Sequence, residues 1–381
     1  MIPDDFGYGE DQGILRQEAR KFLEANCSLE KVRKVMESDA GYEEETWKRL
    51  AEMGWLGLAV PEEHGGSGLG SVSLATLMEE MGRALLPSPF LGTLLATLAI
   101  REGGSEAQKG AWLPAIAAGD LKATLATMEA EGAWDLDEVR ATAKGQGERV
   151  SLEGAKVLAP DAPAAQLIIG SFREGDGVSL FAVERDVAGV SIAPDALVDQ
   201  TRRSGLVTFA DASVPATARL GECGKGGEIL KRILPGIWTA LAAEMAGGAE
   251  RVFQIALDYA KVREQFGKQI GAFQAVKHPL VNVMVDIEMT RSLLYLAAAT
   301  IDAEPENAER IARMAKAHAS DTYANAVARA VQIHGGIGFT WECDVHLFFK
   351  RAQWSKFAFG DAPWHRRKIA DLTIGSLSPQ A

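Results

Sequence analysis

Cysteine is scarce in this chain of 381 residues, which contains only Cys27, Cys223 and Cys343. Three widely spaced cysteines give neither a disulfide framework nor the spacing of metal ligands. We therefore predict free thiols, a reducing compartment and no metal site. Long apolar runs are also missing, since no segment approaches the roughly 18 apolar residues of a membrane span. The acidic N-terminal residues have no apolar signal core, so we expect a cytoplasmic protein without a membrane span.

An excess of positive charge is missing as well. The formal net charge is −12, from 40 Lys and Arg against 52 Asp and Glu. Such a surface repels polyanions, so we expect no nucleic-acid partner, although a local basic patch for a phosphorylated ligand stays compatible with the total. The hydrophobic fraction of 47% and the charged fraction of 24% are typical of a globular protein. The length allows two or three domains.

Hydrophobic periodicity divides the chain into three regions. Helical spacing predicts helices over 11–25, 43–53, 71–85, 237–265, 279–302 and 307–334. Pro235 is expected just ahead of the first long helix and Pro279 in the first turn of the second. Between 121 and 220, short apolar runs separated by Gly, Asp and Pro predict strands that include 149–152, 166–169, 178–183 and 205–209. We expect domains over 1–120, 121–225 and 226–381, helical at both ends and β in the middle.

Residues 259–274 combine planar polar side chains with aromatic ones. Arg263 and Gln274 offer several hydrogen-bond donors, while Phe266 and Phe273 offer flat apolar faces. This set suits a large, flat, anionic ligand such as a dinucleotide. An ordinary helix turn with a solvated Arg and two core Phe residues fits the same sequence, so both interpretations stay open on composition alone.

A second glycine-rich segment runs from Trp55 to Gly70. It lacks the dinucleotide glycine spacing and the Lys-Ser/Thr pair of a phosphate loop. We interpret it as a structural loop between helices.

The chain resembles the acyl-CoA dehydrogenases, a flavoprotein family, over essentially its whole length. The resemblance implies an α+β fold with an N-terminal helical domain, a central β-barrel or β-sandwich domain and a C-terminal four-helix bundle. Three segments carry it: the loop Trp55–Gly70, the pair Arg263-Glu264-Gln265-Phe266-Gly267 and Phe273-Gln274, and Gln332-Ile333-His334-Gly335-Gly336-Ile337-Gly338-Phe339.

The resemblance implies FAD bound across a subunit interface. It assigns the diphosphate and adenine end of a neighbouring subunit's FAD to six residues: Arg263, Phe266, Gln274, Gln332, Gly335 and Gly336. Glycine suits this role because it lets backbone N–H groups come close to an anion. The segment His334-Gly335-Gly336 also fits a helix C-cap, and both roles can hold at once.

Residues on the flavin-ring side depart from the family pattern. Met128 stands where the family has a threonine whose hydroxyl helps to bind the flavin ring. Leu158-Ala159-Pro160 replaces the Trp-Ile-Thr that shields the ring, and Pro160 offers neither a hydroxyl nor an N–H. Met128 is our candidate ring-side residue, but the resemblance puts the flavin-ring contacts of this chain in question.

The catalytic base of the family is displaced too. The family reaction needs a carboxylate, shielded from water, that takes the α-proton of the thioester while a hydride leaves the β-carbon. Many members place this Glu before a Gly-Thr pair, where this chain has Phe359-Gly360-Asp361. We rank Glu244, inside an apolar run, first as the base and Asp361 second. Structural roles fit both equally well: Glu244 paired with an Arg or backbone donors, and Asp361 capping the last helix or bonding His365 or Arg366.

We therefore expect FAD-dependent α,β-desaturation of an acyl-CoA thioester, in fatty-acid or steroid side-chain metabolism, with electrons passed to an electron-transfer flavoprotein. The resemblance implies a homo- or hetero-oligomer, a dimer or tetramer, and the altered ring side resembles the small subunit of an α2β2 assembly. Two alternatives stay open: a non-catalytic or half-site partner subunit, and a flavin oxidase or monooxygenase on the same fold.

Overall fold

The computed structural model describes residue 2 and residues 5–130, 134–135, 138–145 and 147–375. Two compact units make up the chain. We call one the bundle unit, formed by Met1–Arg33, Gly70–Leu86 and Pro235–Ala381, and the other the sheet unit, formed by Lys34–Leu69 and Pro87–Leu234. The division into three domains at residues 120 and 225 is a different partition and stays a prediction.

Helices occupy both ends of the described sequence. The N-terminal helices are α1 (Glu10–Asn26), α2 (Leu29–Met36), α3 (Glu44–Glu52), α4 (Ser71–Ala84), α5 (Phe90–Gly103) and α6 (Glu106–Ala117). The C-terminal helices are α7 (Gly226–Val262), α8 (Gln274–Ala303), α9 (Pro305–His334), α10 (Val345–Phe357) and α11 (Ala362–Ile374). The predicted helices over 11–25, 43–53 and 71–85 are confirmed as α1, α3 and α4. The loop Trp55–Gly70 lies between α3 and α4, as expected.

The middle of the chain forms strands. They are β1 (Ala123–Ala126), β2 (Thr142–Lys144), β3 (Arg149–Pro160), β4 (Leu167–Glu174), β5 (Gly177–Glu184), β6 (Val190–Pro194), β7 (Ser204–Pro215) and β8 (Arg219–Leu220). The four predicted apolar runs each overlap one of these strands, and the run 166–169 begins one residue before β4. A separate two-stranded hairpin, β9 (Glu264–Gln265) and β10 (Lys268–Gln269), follows α7.

The strands β1 to β8 form one open sheet. The order is β6-β7-β3-β2-β4-β5-β8, and β1 pairs in parallel with β4. Among the described residues the sheet does not close on itself, so the expected barrel is an open, mainly antiparallel sheet. Its core contains Phe172, whose ring meets those of Phe181 and Phe209 edge-on at centroid distances of 5.9 and 4.9 Å.

Two prolines lie inside helices rather than at their starts. Helix α7 begins at Gly226, ahead of the expected start at residue 237, and contains Pro235. Buried apolar residues extend this helix backwards: Ile229 is 3% exposed and packs against Gly103. Helix α8 begins at Gln274 and contains Pro279 beyond its first turn. A proline removes one helical hydrogen bond and keeps a helical φ, and in α7 the apolar packing of the turns before Pro235 outweighs that loss.

No helix in the described part of the chain is long and apolar enough to cross a membrane.

Buried carboxylates on α4 join three helices of the bundle unit. Glu79, 1% exposed, accepts hydrogen bonds from Arg16 on α1 and Arg291 on α8, both at 2.7 Å. Glu80, also 1% exposed, accepts two hydrogen bonds from Arg20 at 2.7 and 2.9 Å. Because an unpaired buried charge is strongly unfavourable, these pairs fix which helices meet.

We predict that Glu79→Ala lowers the free energy of unfolding by about 3 kcal/mol, because it removes the buried carboxylate that Arg16 and Arg291 share and breaks both ion pairs. The matched control is Glu288→Ala, since Glu288 pairs with the same Arg291 at 2.9 Å but is 63% exposed. That control should cost less than about 1 kcal/mol. Urea unfolding followed by circular dichroism measures both, and equal losses would contradict the prediction.

Candidate functional site

The hairpin after α7 presents an aromatic ring to solvent. Gln265 pairs with Lys268, which leaves Phe266 and Gly267 as a two-residue turn with φ values of 55° and 74°. Positive φ at both positions is what a type I′ turn needs, and it costs a non-glycine residue about 1–2 kcal/mol. Phe266 is nevertheless 92% exposed. Neither backbone preference nor burial within this chain explains a phenylalanine here, which points to a ligand or another chain.

Arg263 lies at the base of the same hairpin. Its N–H donates to the carbonyl of Tyr259 at 2.9 Å, and its carbonyl accepts from the N–H of Ile270 at 2.8 Å. The guanidinium is exposed and forms no hydrogen bond or ion pair with any residue that the structure describes. Gln274, the first residue of α8, is also exposed. Hydrogen bonds therefore fix the backbone of this segment, while the planar side chains of Arg263 and Gln274 are available as donors to a ligand.

The C-terminal end of α9 supplies the glycines. Gly335 has φ 64° and ψ −142° and caps α9, which confirms the expected C-cap. Gln332, Gly335 and Gly336 are exposed. A Cβ added at either glycine would meet no atom within 4 Å, so the space in front of this backbone is open to a ligand.

This set of groups fits the diphosphate and adenine end of FAD. A guanidinium and two side-chain amides are donors suited to phosphate oxygens, and bare glycine backbone admits an anion at close range. The exposed ring of Phe266 offers a flat face to an adenine. Arg263, Phe266, Gln274, Gln332, Gly335 and Gly336 form what we call the candidate half-site. Their roles in binding FAD stay predictions.

The expected ring-side residues lie in the sheet unit. Met128 is half-buried, and its carbonyl accepts a hydrogen bond from Val157 at 2.9 Å. Leu158 is 45% exposed with φ 52°, and the carbonyl of Pro160 accepts from the hydroxyl of Thr124 at 2.5 Å. The side chains at 128 and 158–160 carry no donor for flavin-ring heteroatoms. Residues 131–133 of the same motif lie outside the described part of the chain.

Glu244 forms a buried ion pair. It is 2% exposed, and its Oε1 lies 2.5 Å from Nη1 of Arg351, which is 1% exposed. The backbone of Glu244 also lies against Gly82, where an added Cβ would come within 2.0 Å of the Glu244 carbonyl oxygen. The structure thus gives Glu244 the arginine partner that a structural role requires, and a role as base stays a prediction.

Asp361 caps the last helix. Its Oδ1 accepts the N–H of Trp364 at 2.8 Å, at the start of α11. The preceding Phe359 has φ 54°, and its carbonyl accepts a hydrogen bond from the indole of Trp238 at 3.0 Å. An added Cβ at Gly360 would lie 2.5 Å from the Trp364 ring. Aromatic packing fills this segment, and a role for Asp361 as base also stays a prediction.

Comparison with known proteins decides the family. Residues 9–120 match the model of the acyl-CoA dehydrogenase N-terminal domain, and residues 224–373 match that of the C-terminal domain. The chain is 34% identical over 355 residues to acyl-CoA dehydrogenase IpdE2 of Mycobacterium tuberculosis, with 91% of this chain and 92% of that protein covered. The chain belongs to the acyl-CoA dehydrogenase family.

Further proteins are similar to this chain in sequence or structure. The caffeyl-CoA reductase-Etf complex subunit CarC of Acetobacterium woodii is 30% identical, with 90% of this chain and 93% of that protein covered. A solved Tcur3481-Tcur3483 steroid ACAD variant has a TM-score of 0.87 at 32% identity, covering 96% of this chain and 98% of that one. The ChsE4-ChsE5 complex from Mycobacterium tuberculosis has a TM-score of 0.89 at 25% identity, covering 98% and 100%.

One ion pair next to the ring-side residues of this chain was not predicted. Lys156 is fully buried, and its Nζ lies 2.5 Å from Oε1 of Glu129. Glu129 also accepts the N–H groups of Arg140 and Ala141 at 2.8 and 3.0 Å. Burial acts to raise the pKa of Glu129, but these hydrogen bonds outweigh it and lower the pKa, while burial lowers the pKa of Lys156. A lysine within an apolar strand was the available sequence signal.

Lys316 holds the segment where many family members carry the base. It is fully buried on α9 and donates to the carbonyls of Ser355 and Gly360 at 3.0 and 3.2 Å. Burial lowers the pKa of Lys316 to about 7, and the negative charge of Asp361 opposes this change. The amine therefore ties the end of α10 to the turn before α11 from inside the unit.

A pH-dependent stability follows from Lys316. The pKa of Lys316 is about 7 in the folded chain and 10.5 for an ordinary lysine side chain, so between these values the unfolded chain binds more protons. The free energy of unfolding of the wild type should then rise with pH across this window, relative to Lys316→Met, at about 1.4 kcal/mol per pH unit. Denaturant unfolding at pH 7, 8 and 9 measures this slope. The exposed Lys48→Met is the control, and the same slope for both variants would contradict the prediction.

Proposed function

We propose that this chain is one subunit of an FAD-dependent acyl-CoA dehydrogenase assembly. It binds the diphosphate and adenine end of an FAD that a neighbouring chain holds at the other end. The assembly desaturates the α,β bond of an acyl-CoA thioester and passes the electrons to an electron-transfer flavoprotein. This function combines the family membership with the half-site alternative that the sequence left open.

The exposure of the candidate half-site carries the proposal. Phe266 is 92% exposed, the Arg263 guanidinium has no partner among the described residues, and Gly335 has open space in front of it. A buried site within one chain would enclose these groups. A surface whose backbone groups are hydrogen-bonded, but whose side-chain donors are available, is instead suited to a ligand shared with a second chain.

The chemistry divides between the cofactor and the protein. When bound, FAD supplies the acceptor for the hydride that leaves the β-carbon of the thioester. In this chain Arg263 would neutralise diphosphate charge, and the backbone at Gly335 and Gly336 would donate to phosphate oxygens. The ring of Phe266 would cover the adenine and exclude water from it.

The carboxylates of this chain support a base supplied by the neighbouring chain. Glu244 is engaged by Arg351, and Asp361 is engaged at the start of α11. A general base needs a carboxylate that can reach the substrate proton and give up its present contacts. Phe359, which stands at the family position of the base, has no acid–base group.

Two relatives bear on the partners. CarC is named as a subunit of a caffeyl-CoA reductase-Etf complex, which supports an electron-transfer flavoprotein as the redox partner here. ChsE4-ChsE5 is named as a complex of two chains, which supports a heteromeric assembly here.

The first test is the visible spectrum of the protein. Purified alone, the chain should be colourless and inactive, because half of the contacts to FAD are missing. Co-expressed with a sister acyl-CoA dehydrogenase chain from the same genome, it should yield a yellow complex whose flavin band bleaches on addition of an acyl-CoA. A yellow, acyl-CoA-reducible protein from this chain alone would contradict the half-site proposal and support a complete dehydrogenase.

Arg263→Ala in that complex extends the same test. It should weaken FAD binding by about tenfold or more, since a charge-assisted contact to the diphosphate contributes about 1.5–3 kcal/mol. Arg310→Ala is the matched control, because Arg310 is also exposed but lies near the other end of α9. Equal FAD affinity in both variants would exclude Arg263 from the site.

A second prediction concerns the base. In the complex, Glu244→Gln and Asp361→Asn should each bleach the flavin with acyl-CoA at close to the wild-type rate, because the neighbouring chain supplies the base. Anaerobic stopped-flow absorbance measures this rate. A loss of two or more orders of magnitude in one variant alone, with an unchanged thermal midpoint, would identify that residue as the base and make this chain catalytic.

A further inference from the structure

Two aromatic rings stack between the helix ends that carry the candidate half-site. The ring centroids of Tyr259 and His334 are 4.3 Å apart, and the rings are inclined by only 20°. Tyr259 lies on the last turn of α7 and its carbonyl accepts the N–H of Arg263. His334 is the last residue of α9 and directly precedes Gly335. The stack therefore links the end of α7 to the end of α9. It lies one helical turn before Arg263 and directly before Gly335.

Two further contacts, besides the stack, hold His334 in place. Its Nδ1 lies 2.8 Å from the carbonyl of Ala330, one turn earlier, so Nδ1 donates that hydrogen bond. The turn after α9 folds back on the same residue: an added Cβ at Gly338 would lie 3.2 Å from the His334 Cβ. The residue is 8% exposed. The ring thus has one orientation, set by the backbone of α9.

Tyr259, the other ring of the stack, determines the position of the hairpin formed by β9 and β10. Because the Arg263 carbonyl accepts the N–H of Ile270 at 2.8 Å, the position of Arg263 fixes where β9 and β10 leave the helix. Phe266 at the hairpin tip follows from the same anchor. A shift at Tyr259 would move the guanidinium and the exposed ring relative to the glycines at the end of α9.

We infer that Tyr259 and His334 are positioning residues for the diphosphate and adenine end of FAD. Their stack fixes the separation between Arg263 and the backbone of Gly335 and Gly336, so that one diphosphate can contact both. The inference rests on the proposed function, which assigns the half-site to FAD. It makes the stack a determinant of the preference for FAD over FMN, because FMN lacks the AMP half that this end would hold.

The test compares the two flavins. His334→Ala removes the stacked ring and should weaken FAD binding by the complex about tenfold, which is about 1.4 kcal/mol, and leave FMN binding unchanged. His334→Phe keeps a stacking ring but not the bond to Ala330, and should bind FAD within about twofold of the wild type. Flavin fluorescence titration of the apo-complex gives both affinities, and the thermal midpoint reports folding.

The matched control is a second histidine stack in the bundle unit. His346 stacks on Trp341 at 4.9 Å and 22° and is likewise 8% exposed. His346→Ala removes a ring of the same type and burial that stacks on Trp341 and not on a half-site residue. It should leave both flavin affinities unchanged.

Three results would overturn the inference: wild-type FAD affinity in His334→Ala, a loss in His334→Phe as large as in His334→Ala, or equal losses for FAD and FMN. The second would assign the effect to the Nδ1 hydrogen bond, and the third to a general loss of structure. Arg263→Ala separates the inference from the proposed function. If Arg263→Ala weakens FAD binding and His334→Ala does not, only the positioning role fails; if neither does, the half-site assignment fails with it.

Discussion

The ion pair between Glu244 and Arg351 shows the constraint on which the bundle unit depends. Both residues are almost fully buried, and an interior of low polarity makes a lone charge there unfavourable by several kcal/mol. Each buried charge must therefore meet its partner before the helices can close. Glu79 and Glu80 repeat this pattern with arginines on other helices, whereas the buried Lys316 donates to backbone carbonyls. Helix packing in this unit is consequently specified by charge pairing as well as by apolar fit.

How far the sequence predicts the fold depends on the kind of signal. Alternation and helical spacing report burial directly, so the predicted segments located four strands (β3, β4, β5 and β7) and six helices (α1, α3, α4, α7, α8 and α9), but not the remaining elements or the full length of β3 and β7. Pro235 was wrongly placed ahead of α7, because local propensity cannot weigh one lost hydrogen bond against the distant packing of Ile229 on Gly103. The type I′ turn at Phe266 was also missed, since its residues do not carry the usual Asn-Gly or Asp-Gly signal.

The residues of the candidate site also differ in whether the sequence could predict their roles. The groups around Arg263 and Gly335 could be proposed from sequence, because a ligand-binding set keeps its residue types and order along the chain. The buried pair of Lys156 with Glu129 and the stack of Tyr259 on His334 could not, because each joins residues far apart in sequence. Glu244 illustrates a third case. Its apolar surroundings marked it as unusual, but only the position of Arg351 reveals the contact that engages it.

The high exposure of the Phe266 ring affects how a subunit assembly would depend on the concentration of FAD. A ligand held between two chains tightens their association by the same factor by which association tightens the ligand, because the coupling is reciprocal. Burying a ring that is 92% exposed against either the cofactor or the neighbouring chain adds to that coupling. In such an arrangement bound FAD would stabilise the contact between subunits. The cellular concentration of FAD would then determine the fraction of the chain that is assembled.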